Sequence, residues 1–296
     1  MIRGIARRAR AWLLRPLLAQ LAAPERGRPT SVEGQLALLH LYRLLAYTGA
    51  PLPRLDEVGF RVYSEADEDG ILLYLFGLVG TTNRILVDIG AAGVVGSNTA
   101  NLLINHGWNG VLVEADADRH KSLVSFYASC PDTAHRPPRC VPMRLTADNV
   151  NEVLAGQQCS GEIDLLCIDV DGIDYHLWRA IDCVSPRVVL VEYQCILGPE
   201  RAATVPYDPD FSPVFDGPYG IYNGASLAAF VKLGRAKGYR LVGSHRHGYN
   251  AFFVRDDVGP GLLPEVDAAS CLRKPFARWA IETYGERVKA FRWIDV

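Results

Sequence analysis

The chain has 296 residues, 49% of them hydrophobic, with a formal net charge of −2. That length and apolar content suit one large α/β domain with additions, which needs neither a disulfide nor a metal merely to fold. The near-neutral balance excludes an electrostatic nucleic-acid binder, and no apolar stretch is long enough to span a bilayer; the seven cysteines include no C-x-x-C pair, which points to a reducing, cytoplasmic setting and against a zinc ribbon.

In chain order, the N-terminus comes first. Arg3, Arg7, Arg8, Arg10 and Arg15 precede the first acid, Glu25, while Ile2, Ile5, Ala9, Trp12, Leu13 and Leu17 recur at helical spacing. Residues 1–21 therefore predict a basic amphipathic helix. It suits peripheral contact with an anionic membrane, and equally suits packing on its own domain. A transit peptide would be richer in serine, and Arg15-Pro16 breaks the apolar run of a secretory signal. A second helix is expected over 32–48, ended by Pro51-Leu52-Pro53. In YSEADEDGILLYLFGLVG, 63–80, Ser64 with Asp67 and Glu68 reads as a helix start and Gly80 as a stop.

Strands and helices then alternate. Short apolar runs at 84–90, 110–116, 140–145, 163–171 and 187–193 predict parallel strands covered on both faces. Helices fall between them near 98–106, 118–129, 149–155 and 173–182. A Pro/Gly/Asp/Tyr-rich segment, 197–222, precedes a helix over 225–237. The last two strands, 239–245 and 250–256, are too close for a helix between them and should form an antiparallel hairpin. The expected fold is a Rossmann-like, doubly wound, mostly parallel seven-stranded sheet with an antiparallel final strand. Residues 1–60 form an N-terminal helical extension, 61–260 the Rossmann-like domain, and 261–296 a helical tail packed on it. The sequence leaves a homo-oligomer open.

The turn after the first strand is Asp88-Ile-Gly90-Ala-Ala-Gly93-Val-Val-Gly96-Ser-Asn-Thr99. Glycines let the backbone turn sharply and approach a ligand closely, and the N–H groups at the next helix start bind polar groups. The second strand ends in Glu114-Ala115-Asp116, where an acid can accept from both hydroxyls of a ribose. Two nucleoside cofactors suit this pattern. Read alone, G-x-x-G-x-x-G resembles the NAD(P) turn of extended short-chain dehydrogenases. Those enzymes also need Tyr-x-x-x-Lys for proton transfer, and no tyrosine here has lysine four residues later. The acid-x-Gly of Asp88-Ile-Gly90 favours S-adenosylmethionine (SAM) instead. A catalytically silent SAM-fold binding or scaffold protein is the third reading.

Several segments in order, SEADEDGILLYLF, VDIGAAGVVGSNTANLLINHGWNGVLVEAD, LLCIDVDGIDYHLW, VVLVEYQ, VPYDPDF and YNGASLAAFVKLGRAKGYRLVG, together resemble FkbM-type methyltransferases or a bacterial branch close to them. They cover roughly residues 60–256. A parallel sheet closed by an antiparallel strand is also the arrangement of class I SAM-dependent methyltransferases. The resemblance implies SAM as cofactor, held by Ser64, Asp88, Gly90, Ala91, Gly93, Asn98, Glu114, Ala115, Asp116 and Asp169. It implies O-methylation of a hydroxyl on a small-molecule or glycan acceptor: a sugar, glycolipid, polyketide or peptide. The chain departs from the usual FkbM turn by a longer spacing to Gly96.

Asp169, Asp171 and Asp174 fall at the carboxyl end of the fourth strand, where open α/β sheets bind ligands. Acids this close together repel unless solvated, paired or bound to a cation. Asp169 and Asp171, with Glu192 at the end of the fifth strand, are therefore candidate catalytic groups and candidate ligands for Mg²⁺. In the other reading, Asp171-Gly172 makes a turn and Asp174 caps a helix. His245, after the sixth strand, is a candidate general base. Segment 197–222 is long for a connection and too aromatic for simple disorder, which predicts an acceptor-binding wall or lid.

Overall fold

The sheet is built from strands that bury both faces. A computed structural model of the chain describes residues 31–296. The basic helix expected over residues 1–21 lies outside the described residues.

Helix α1, Val32–Thr48, starts at Ser31, whose hydroxyl accepts from Gly34 N, and stops at Gly49 with φ +67°. It packs on α2, Glu68–Val79, with Tyr42 edge-on to Tyr74 at 4.9 Å. Gln35 ties α1 to the domain by accepting from Asn101 Nδ2 at 2.9 Å. The alternation follows as β1 Ile85–Ile89, α3 Ala100–Asn105, β2 Asn109–Val113, α4 Ala117–Ser129, β3 Arg139–Val141, α5 Val150–Gly156, β4 Gly161–Ile168, α6 Asp174–Ala180 and β5 Val184–Glu192. Then come short strands β6 Ala203–Thr204, β7 Val214–Asp216 and β8 Tyr219–Tyr222, helix α7 Leu227–Ala236, and the hairpin β9 Tyr239–Ser244 and β10 Asn250–Arg255. The tail contains α8 Ala268–Cys271 and α9 Pro275–Tyr284, and ends in β11 Ile294–Asp295, which pairs with β6.

The seven-stranded sheet has the order β3-β2-β1-β4-β5-β10-β9. Strand β10 runs antiparallel to both β5 and β9, and the other strand pairs are parallel. This is the Rossmann-like, doubly wound architecture expected, with the last strand inserted inside the sheet rather than added at its edge. The third strand is shorter than expected because Pro142 cannot donate to the ladder, so pairing stops at Val141.

Successive strand residues face opposite layers. Leu165 and Cys167 enter one core with Phe252, Phe76 and Trp108, while Leu166 and Ile168 enter the other with Phe253, Trp178 and Phe230. Each fully buried large side chain contributes about 1.5–3 kcal/mol. The order reverses between β1 and β4, and the crevice beyond their carboxyl ends is where such sheets bind ligands. Among the described residues, no helix is long and apolar enough to cross a membrane.

Candidate active site

The glycine turn is fixed by what passes behind it. Gly90 has φ +93°, and a Cβ there would lie 1.8 Å from the carbonyl oxygen of Asp169. The exits of β1 and β4 thus touch backbone to backbone, which only glycine permits. Gly90 N and Ala91 N both donate to Val113 O, and Asp169 N donates to Ile89 O. On the far side Gly96, φ +92°, donates to Tyr63 O at 2.7 Å, and Ser64 bridges to Gly96. Ser64 is buried and bonded to Asp69 Oδ2, so it holds the turn in place rather than lining the cavity. Gly93 does not line the cavity either. The longer spacing to Gly96 makes Gly96 the glycine that reaches it.

The crevice is a cavity of about 940 Å³, within the range of ligand sites. Asp88, Gly90, Ala91, Asn98, Glu114, Ala115, Asp116, Asp169 and Asp171 all line it. Asp88 accepts from Thr99 Oγ1 at 2.6 Å, and burial pushes its carboxyl up to about 6. Glu114 Oε1 accepts from Asp116 N at 2.7 Å, and its second oxygen has no hydrogen-bond partner among the described residues. Asp116 caps α4, accepting from Asp118 N and Arg119 N. Asn98 donates to Asp169 Oδ2 at 3.4 Å while its own buried Oδ1 has no partner.

Asp169, Asp171 and Glu192 gather on the other side. Burial, then the neighbouring carboxylates, raise Asp169 and Glu192 well above the usual carboxylate range. Asp171 is also raised, by burial, and sits at φ +53° in the turn after β4. Among the described residues, however, no group of three or more His, Cys, Asp or Glu side chains is arranged to hold a metal ion. The expected Mg²⁺ set of Asp169, Asp171 and Glu192 is therefore corrected. Asp169 lines the first cavity and Glu192 a neighbouring one, with Asp171 at both. Asp174 does not cap the helix as expected: it is the first residue of α6, the N-cap Ile173 makes no side-chain cap bond, and the Asp174 carboxylate instead ties the preceding turn by accepting from Val170 N and Gly172 N.

His245 is also corrected as a general base. It is fully buried and absent from the cavity walls. Its Nδ1 already accepts from Gly248 N and Asn250 N, so a proton there would break both bonds. Burial pushes its pKa down to about 3.

Segment 197–222 is an ordered wall. Pro209 and Phe211 close the first cavity, with Phe211 packed where a Cβ on Gly172 would sit. Arg144 Nη1 donates to Pro209 O at 3.1 Å. The β7–β8 hairpin borders a second cavity of about 500 Å³, reached past Glu65 and Asp171, which line both. Sequence reasoning missed Glu65, Arg61, Arg119 and Arg144 at the first cavity, since isolated surface-type charges carry no motif. The tail was expected to be helical and packed on the domain, but the lining of the second by Phe276, Trp279 and Ala280, at helical spacing on α9, was not foreseen. That spacing was the available signal.

No family model and no curated protein matches the chain. Among solved structures, the chain is similar to the glycopeptide N-methyltransferase MtfA complexed with S-adenosyl-L-homocysteine (SAH), with 13% identity over 68% of this chain and 95% of that one and a TM-score of 0.38. The mitomycin 7-O-methyltransferase MmcR shares 14% identity over 80% of this chain and 75% of its own, at a TM-score of 0.35. TnmH shares 14% over 85% and 70%, also at 0.35. At such identity and superposition, neither activity nor substrate carries over.

Proposed function

We propose that the chain is a SAM-dependent methyltransferase of the FkbM-like kind, transferring a methyl group to a hydroxyl of a small-molecule acceptor. The observation that carries this reading is the strand order. An antiparallel strand inserted between β5 and β9 is the class I methyltransferase arrangement, whereas dinucleotide-binding sheets extend in parallel. The cavity chemistry agrees. The free oxygen of Glu114 suits a ribose diol. The Gly90–Ala92 backbone and the unpartnered Asn98 Oδ1 suit the amino-acid end of the cofactor. No Tyr-x-x-x-Lys pair is present to serve a reductase.

When bound, SAM would supply an electrophilic methyl group on sulfur. The chain's own part is alignment and handling of one proton. Asp169 lies at the junction of β1 and β4, bonded to Asn98 and raised by burial. A carboxylate there would accept the acceptor's hydroxyl proton as the oxygen–carbon bond forms. Glu192, at the end of β5, would orient the same acceptor.

The test is calorimetric titration of the purified chain with SAH and, separately, with NADPH. Binding of SAH and not NADPH is expected. The reverse would replace this reading with a reductase.

A further inference from the structure

The second cavity differs in chemistry from the first. Arg61, Arg119 and Arg144 stand around the first, but among the described residues no lysine or arginine lines the second. Its inner end carries Glu65, Asp171 and Glu192. No hydrogen bond from the described residues reaches the carboxylate of Glu192, which carries no salt bridge either. The outer end is aromatic. Tyr219 meets Trp279 edge-on at 4.9 Å and Phe276 at 5.8 Å, while Phe276 lies 5.5 Å from Trp279 and 5.6 Å from Tyr249. Trp279 is 39% exposed and Tyr219 36%, so both rings keep free surface. Tyr193 also lines the cavity, and its buried hydroxyl has no partner.

We propose that this compartment recognises the cationic nitrogen of an amine-bearing acceptor, held by Asp171 and Glu192 against the Tyr219–Phe276–Trp279 wall. Burial and neighbouring acids raise Glu192, and burial raises Asp171, so a bound ammonium is what favours their ionised forms. Ionised carboxylates only accept hydrogen bonds, and an ammonium only donates them. Aromatic faces attract the same cation, most strongly where water is thinned out. A neutral polyol would bring acceptors as well as donors to walls already rich in acceptors. The amide donor in the cavity wall, Gln194 Nε2, is spent on Gly220 O and Asn223 Oδ1. A volume of about 500 Å³ admits one ring with its substituents. The nitrogen is the handle of recognition, and the hydroxyl to be methylated lies on the Asp169 side. The inference rests on the methyltransferase reading for the meaning of "acceptor", but not for the binding itself.

The experiment titrates the full chain with 2-phenylethylamine and with 2-phenylethanol, its neutral counterpart, at one ionic strength. SAH is titrated into the same sample. The amine is expected to bind roughly tenfold tighter than the alcohol. Asp171→Asn should erase that preference, and Trp279→Ala should weaken amine binding several-fold while leaving SAH binding unchanged. Equal binding of amine and alcohol, or no binding of the amine, overturns the proposal. Amine preference without SAH binding would leave this site standing and overturn the methyltransferase reading alone.

Discussion

Strand β4 carries Asp164 within it and is followed directly by Asp169, and the two carboxylates live in opposite circumstances. Asp164, at the lower edge of the sheet, is fully buried and saturated. Its oxygens accept from Thr82 N, Asn83 N and Arg84 N at 2.6–2.9 Å, and Arg187 Nε lies 3.3 Å away. Asp169, five residues on at the upper edge, has one long bond from Asn98 and is surrounded by other acids. The lower carboxylate is placed so that the fold uses every lone pair it can. The upper one is left with unmet capacity beside a cavity, which is costly unless a ligand completes it. Two acids five residues apart thus divide into one that holds the fold and one proposed to take part in chemistry.

Substitutions can break this contrast. The largest expected effect is on turnover. Asp169→Asn should lower the methyl-transfer rate about 10²–10⁴-fold, measured with labelled SAM, while SAH affinity stays close to wild type. The wild-type rate should fall as pH drops through the raised pKa of Asp169, and the variant should lose that limb. Thermal stability should move the other way. A carboxyl whose folded pKa is raised contributes stability present below its unfolded pKa and lost as pH rises through the folded one. Asp169→Asn should therefore raise the melting temperature at pH 8, and the gain should shrink as pH falls. A variant with lower melting temperature and normal turnover would reverse the assignment of the two ends.

Asp164→Ala should do the opposite. It strands three backbone N–H groups and Arg187, costing about 3–5 kcal/mol of stability by denaturant unfolding, with SAH affinity of the folded fraction unchanged. A smaller effect is expected at the cofactor. Glu114→Ala should weaken SAH binding by about 1.5–3 kcal/mol, as for hydrogen bonds to a charged group, read by calorimetry. The smallest is a null. EDTA should leave turnover unchanged, because among the described residues no group of three or more His, Cys, Asp or Glu side chains is arranged to hold a metal ion. Restoration of an EDTA-lost rate by Mg²⁺ would overturn that geometry.

The two halves of the cleft were unequally legible in the sequence. The first cavity is built from backbone demands that leave marks, a glycine where two strand exits touch and an acid where β2 ends, whereas the effect of Pro142 in ending β3 at Val141 was not read. Gly93 was misassigned because spacing alone does not say which glycine faces inward. Asp174 was read as a helix cap but ties the turn before the helix instead, since its place two residues after Gly172 puts its carboxylate against Gly172 N. The second cavity is made by side chains that converge from β5, the 197–222 wall and α9, far apart in the chain. No local pattern records that convergence. His245 was misread for the same reason: a histidine following a strand looks solvated until the β10 hairpin and α2 close over it.

Nucleoside and acceptor are proposed to occupy separate compartments that meet at Glu65 and Asp171. The most direct measurement is a crystal structure of the chain with SAH. The account predicts the ribose hydroxyls within hydrogen-bonding distance of Glu114, the thioether sulfur facing Asp169, and the Trp279 wall left free. Adenosine stacked against Trp279 and Phe276, with Glu114 untouched, would contradict it.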